Sequence, residues 1–105
     1  MKGIYAKVGN PVRYELFVMP GIVVMENAGD KIRYYHDKQE IEEMINRIEE
    51  LKQFQGKFGY AVSVMEKEID DSCGAIARIA EISKEVSEGR CSVWHDFIRR
   101  QFKEQ

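Results

Sequence analysis

An α+β fold, with a mostly antiparallel five-stranded sheet and three helices mainly on one face, is predicted by three features of the sequence. Apolar and polar residues alternate through much of the stretch before Asp37, the period of half-buried strands. From Asp37 apolar residues recur three and four apart, the period of an amphipathic helix. A short β-branched run then precedes two further helical patterns. The order is therefore β-β-β-β-α-β-α-α. No Pro/Gly/Ser-rich linker interrupts it, so the change at Asp37 divides layers of a single compact domain over 1–105.

Ile4, Ala6 and Val8 alternate with Tyr5 and Lys7, and Gly9-Asn10-Pro11 turns the chain. Val12, Tyr14, Leu16 and Val18 then alternate with Arg13 and Glu15 in a second strand. Pro20-Gly21 has the chemistry of a type II turn, because proline presets the first central φ and glycine supplies the positive second one. Ile22 to Glu26 forms a third strand, Asn27 to Asp30 a turn, and Lys31 to Tyr35 a fourth strand with Ile32 and Tyr34 on one face.

Asp37 is an N-cap with Glu40 three residues on, and Ile41, Met44, Ile45, Ile48 and Leu51 make one helical face. Gly56 and Gly59 mark its exit, and Tyr60 to Met65 is the fifth strand. A second helix is expected from Ile69 or Asp70 to about Ser87, carrying Cys73, Ile76, Ala77, Ile79, Ala80 and Val86, with Gly89 as its stop. Gly74 weakens its first turns by about 1 kcal/mol relative to alanine. In the third helix, capped by Ser92, the residues Val93, Trp94, Phe97, Ile98 and Phe102 form an apolar stripe flanked by His95, Asp96, Arg99, Arg100 and Lys103. With helices mainly on one face, the other face of the sheet is expected to stay open, exposing Tyr5, Phe17, Tyr35 and Met19 or Met65 as a partner or self-association surface.

Sixteen basic against eighteen acidic residues leave a net charge of -2, so no global field favours nucleic acid or anionic membranes. The longest apolar run, Leu16 to Met25, is broken by Pro20 and Gly21 and is too short to span a bilayer. The opening residues lack a secretory apolar core, so a cytoplasmic setting is expected, with Cys73 and Cys91 as reduced thiols.

His36, Cys73, Cys91 and His95 together make a sulfur and nitrogen donor set of the kind zinc takes, although no C-x-x-C spacing supports it and no metal is expected. Cys91 and His95 lack a third orienting group for nucleophilic catalysis, and no glycine-rich phosphate loop is present. Asp70-Asp71 reads as acids opening a helix. No catalytic residue, no cofactor and no enzymatic activity are expected.

Binding is the remaining class. Arg90, Arg99, Arg100 and Lys103 give the C-terminal helix a basic edge suited to phosphates, and Lys2, Lys7, Arg13, Lys31 and Arg33 lie among Tyr5 and Tyr35 on the strands, where an exposed sheet would stack bases. The first helix presents Glu42, Glu43, Glu49 and Glu50, an acidic face suited to a basic groove, with Glu43 and Arg47 placed for an i,i+4 pair. The leading expectation is a small non-enzymatic binding or inhibitory module that occupies a protein partner or a protein–nucleic acid complex. In size and style the chain is similar to accessory proteins of bacteriophages and mobile elements, including those that block host nucleases or defence complexes. The alternatives are a nucleic-acid-binding regulator using the basic C-terminal helix, and a Cys/His metal-binding protein.

Overall fold

Period-two alternation in the first third of the chain does produce four consecutive strands. The computed structural model describes residues 1–71, 74–83 and 92–103, including their side chains except at 82, 83, 92–94 and 103. Strands β1 (Lys2–Val8), β2 (Tyr14–Met19), β3 (Val23–Ala28) and β4 (Lys31–Tyr35) precede helix α1 (Lys38–Lys52). Strand β5 (Val62–Glu68) and helices α2 (Ala75–Ser83) and α3 (Ser92–Lys103) follow. Every strand pairing is antiparallel, in the order β4-β3-β2-β1-β5. The chain is thus the expected five-stranded α+β fold with three helices, two of them on one face.

The expected open face is absent. One side of the sheet packs Ala6, Leu16, Val18 and Val24 against Ile41, Met44 and Ile48 of α1. The opposite side packs Tyr5, Phe17, Met19, Val23 and Met25 against Ile69, Ile76 and Ile79, and against Ile98 and Phe102 of α3. Tyr5, Phe17 and Met19 are therefore buried and Tyr35 is half-buried; of the residues expected to be exposed, only Met65 is. The cause is legible in β2, where Leu16, Phe17, Val18 and Met19 are consecutively apolar, so whichever face each occupies must be covered. Each fully buried Leu, Ile or Phe contributes about 1.5–3 kcal/mol, which makes covering both faces the favourable solution.

Gly3 allows the close approach of α3. A Cβ at this position would lie 2.4 Å from Ile69 Cδ1 and 2.6 Å from Phe102 Cε1, well inside van der Waals contact. Phe102 in turn meets Phe17 edge to face with ring centroids 5.4 Å apart, and Phe17 stacks on Tyr5 at 4.8 Å.

Helix α1 starts as expected: Asp37 has extended backbone angles and its side chain accepts hydrogen bonds from the N–H groups of Gln39 and Glu40. Several boundaries differ, among them the start of the second strand at Tyr14 and not Val12. The fifth strand begins at Val62, because Tyr60 N–H is held in a turn by Lys57 O, and it continues to Glu68 because β1 pairs with it as far as Lys2. The third strand runs on to Ala28, leaving a shorter turn around Gly29, whose φ is +73°. The second helix begins at Ala75 and not at Ile69 or Asp70. Gly74 has a φ of +68°, a left-handed conformation no helix passes through, and Asp71 accepts from the Ile76 N–H at 2.8 Å. Ile69 instead extends the strand, donating its N–H to Met1 O, and is buried. The expected end of that helix near Ser87 and Gly89 lies outside the described residues.

Candidate functional site

Glu26 sits in β3 on the face that receives α1, next in sequence to the buried Met25 and two residues from Val24. A carboxylate there must be satisfied or it would destabilise the strand by several kcal/mol. Both of its oxygens are engaged. Tyr35 O–H of β4 donates to Oε1 at 2.8 Å, while Oε2 accepts from the Tyr14 hydroxyl of β2 and from Arg47 Nη1 of α1 at 3.0 Å. Arg47 Nη1 also lies 3.1 Å from the Tyr14 hydroxyl oxygen. The Tyr14 and Tyr35 phenols are pushed upward, first by burial and then by their hydrogen bonds to Glu26, and that of Tyr14 rises beyond the accessible range. The cluster ties α1 to β2, β3 and β4 at once.

This arrangement determines the charge on the outside of α1. The expected partner of Arg47 is Glu43, but its guanidinium turns toward the sheet and compensates Glu26. At 3.6 residues per turn, Glu42, Glu43, Asn46, Glu49 and Glu50 then form the outward face, and all five are exposed. Glu49 has a cation beside it, Lys52 Nζ at 3.1 Å. The four glutamates expected to form an acidic face therefore do share one exposed surface, and Arg47 lies at its border, still half-exposed, with its guanidinium bonded to Glu26.

A second buried carboxylate lies one register step away on the opposite face. Glu15 of β2, paired across the sheet with Asn27, accepts from the Tyr5 hydroxyl and from Asn27 Nδ2 at 3.3 Å. Asn27 Nδ2 also lies 3.5 Å from His95 Nε2 of α3. The Tyr5 phenol is pushed far up by burial and by Glu15, an effect opposed by the positive charge of Arg99. His95 and Arg99 are thus associated with a core cluster and are half-buried, while Arg100 is exposed. Of the expected nucleic-acid-binding set, Arg90 lies outside the described residues, as does the side chain of Lys103. The expected stacking surface does not form, because Tyr5 is buried beneath α3 and Tyr35 is bound to Glu26.

The two histidines weighed as zinc ligands meet different parts of β3: His95 Nε2 lies 3.5 Å from Asn27 Nδ2, whereas His36 follows Tyr35, which pairs with Val24 three residues away. Among the described residues no three His, Cys, Asp or Glu side chains gather as a metal site, and Cys73 and Cys91 lie outside those residues. Among the described residues, no helix is long and apolar enough to cross a membrane.

The residues that sequence reasoning missed are Glu15, Glu26 and Arg47. A signal existed for the acids: each occupies a strand position whose neighbours two residues away are apolar, Phe17 for Glu15 and Val24 for Glu26. Comparison with protein-family models, with curated proteins and with solved structures finds no match to this chain.

Proposed function

We propose that the chain is a small non-enzymatic binding module whose α1 docks onto a basic groove of a macromolecular partner. The observation that carries this reading is the shared exposure of Glu42, Glu43, Glu49 and Glu50, bordered by an Arg47 whose guanidinium is engaged by Glu26. Such a helix offers carboxylates at spacings that can occupy sites otherwise taken by phosphates, so the nucleic-acid channel of a nuclease or defence complex fits its chemistry. The helix is held rigidly by its N-cap, its apolar face and the Glu26 cluster, which lowers the ordering cost of binding. An inhibitory role in the cytoplasm, of the kind mobile-element accessory proteins perform, follows if the occupied groove is the partner's working site.

The test uses the folded protein as bait in lysate of its source, with a variant carrying Glu42→Lys, Glu43→Lys, Glu49→Lys and Glu50→Lys beside it. Salt-sensitive capture by the native chain and its loss in the folded variant is the expected result. Unchanged capture removes the acidic face from the account. A parallel Arg99→Ala, Arg100→Ala variant that loses retention of DNA or RNA at low salt would transfer the reading to the C-terminal helix.

A further inference from the structure

The two edges of the sheet differ in a way the α1 face does not explain. Strand β4 has five residues and Arg33 at its midpoint, whereas β5 has seven and Met65 at its midpoint. Hydrogen bonds fix which groups of β5 face outward. Ala61 O accepts from Gly9 N–H and Ile69 N–H donates to Met1 O, both at 2.8 Å, so the odd-numbered positions of this segment face β1. Val64 N–H, at an even position, donates at 2.7 Å to Oε1 of Gln55, a side chain from the loop after α1. Positions 62, 64, 66 and 68 accordingly aim their backbone groups away from β1, where no further strand pairs among the described residues. Exposed apolar side chains border the same region: Met65 within β5, Tyr60 and the fully exposed Phe58 in the loop before it.

We infer that β5 is a self-pairing edge, which receives β5 of a second copy in antiparallel register centred on Met65 and joins the two sheets into one. A twofold axis normal to the sheet keeps the two faces aligned, and this centring pairs the whole strand. Met65 then lies opposite Met65 of the second copy, Val64 opposite Glu66, Val62 opposite Glu68 and Ser63 opposite Lys67, so no like charges face each other directly. Centring on Glu66 or Lys67 instead sets like charges opposite one another. The two acids that meet on one face carry compensation within their own chain: Lys2 Nζ is 3.9 Å from Glu66, and the terminal amine of Met1 is 3.1 Å from Glu68. Strand β4 lacks this fit, because pairing about its midpoint opposes Arg33 to Arg33, the kind of charge guard that keeps an edge single. Among the described residues, Gln55 holds a backbone donor of this edge and must let go.

The experiment is sedimentation velocity of the full chain across a wide concentration series, with Met65→Lys and Met65→Glu prepared singly and mixed in equal amounts. The native chain is expected to pass from one to two 12.3 kDa chains as concentration rises. Each Met65 variant should remain a folded monomer by circular dichroism, since the side chain is exposed, and the mixture should dimerise because lysine then faces glutamate. A native chain that stays monomeric at the highest concentration overturns the inference, as does a dimer indifferent to both substitutions or a mixture that fails to pair. Because Met65, paired with Tyr5, lies on the face of the sheet away from α1, none of these outcomes bears on the acidic-face reading.

Discussion

The two faces of the sheet each bury one glutamate, on neighbouring strands and one register step apart, yet they dispose of it differently. On the α1 face Glu26 is closed by two tyrosines and by an arginine from the covering helix. On the other face Glu15 is closed by Tyr5 and by the side-chain amide of Asn27, with His95 of α3 on the far side of that amide. Where the helix itself supplies the counter-charge, the guanidinium of its half-exposed arginine is bonded to the sheet and not to the glutamates of the outer surface. On the other face Tyr5 and Asn27 of the sheet donate to Glu15, and α3 brings a half-buried Arg99 toward that cluster while Arg100 and Asp96 are exposed. Surface chemistry is in this sense set from inside the molecule.

The largest expected effect comes from breaking the ion-paired cluster. Glu26→Ala leaves two phenols and a guanidinium without their acceptor and should destabilise the fold by about 3 kcal/mol, read from urea unfolding. Glu15→Ala removes the acceptor of Tyr5 and Asn27 and should cost about 2 kcal/mol. Equal losses at the two positions would mean that Arg47 adds nothing to its face.

Filling the space between β1 and α3 comes next. Gly3→Ala forces a Cβ against Ile69 and Phe102 and should cost roughly 1–3 kcal/mol by overpacking, with part of it recovered when Phe102→Leu is added. Asp37→Ala removes the N-cap of α1 and should cost about 1 kcal/mol, with hydrogen exchange accelerating in the first turn of that helix.

The effect smallest at neutrality appears only in alkali. Tyr5, Tyr14 and Tyr35 have folded-state values above their ordinary 10.0, so their neutral forms stabilise the protein fully below that pH. The contribution falls as pH rises beyond about 10 toward the folded values, because the unfolded chain releases those protons first. A thermal midpoint flat from neutrality to about pH 9 and declining above 10 is expected, and Tyr14→Phe should make the decline shallower.

Much of this fold could be read from the chain because its signals are local. Asp37 with the spacing of Ile41, Met44 and Ile48 specifies α1, and the alternation around Tyr5 and Arg33 specifies strands. The covering of both faces was less legible, since alternation in β1 suggests one wet side and only the unbroken apolar run Leu16 to Met19 argues otherwise. The start of α2 was hidden by Gly74, which reads as a weak helix residue but adopts a left-handed φ. That Glu42, Glu43, Glu49 and Glu50 share one exposed face followed from helical spacing. The inward turn of Arg47 did not, because Glu43 stands at an equally favourable local distance and only the assembled sheet brings Glu26 to its other side.

The measurement closest to the central claim is partner capture by the native chain and by the folded Glu42→Lys, Glu43→Lys, Glu49→Lys, Glu50→Lys variant, each at low and at raised salt. The account predicts a partner retained by the native chain, weakened by salt and absent from the variant; a partner held equally by both, at either ionic strength, would contradict it.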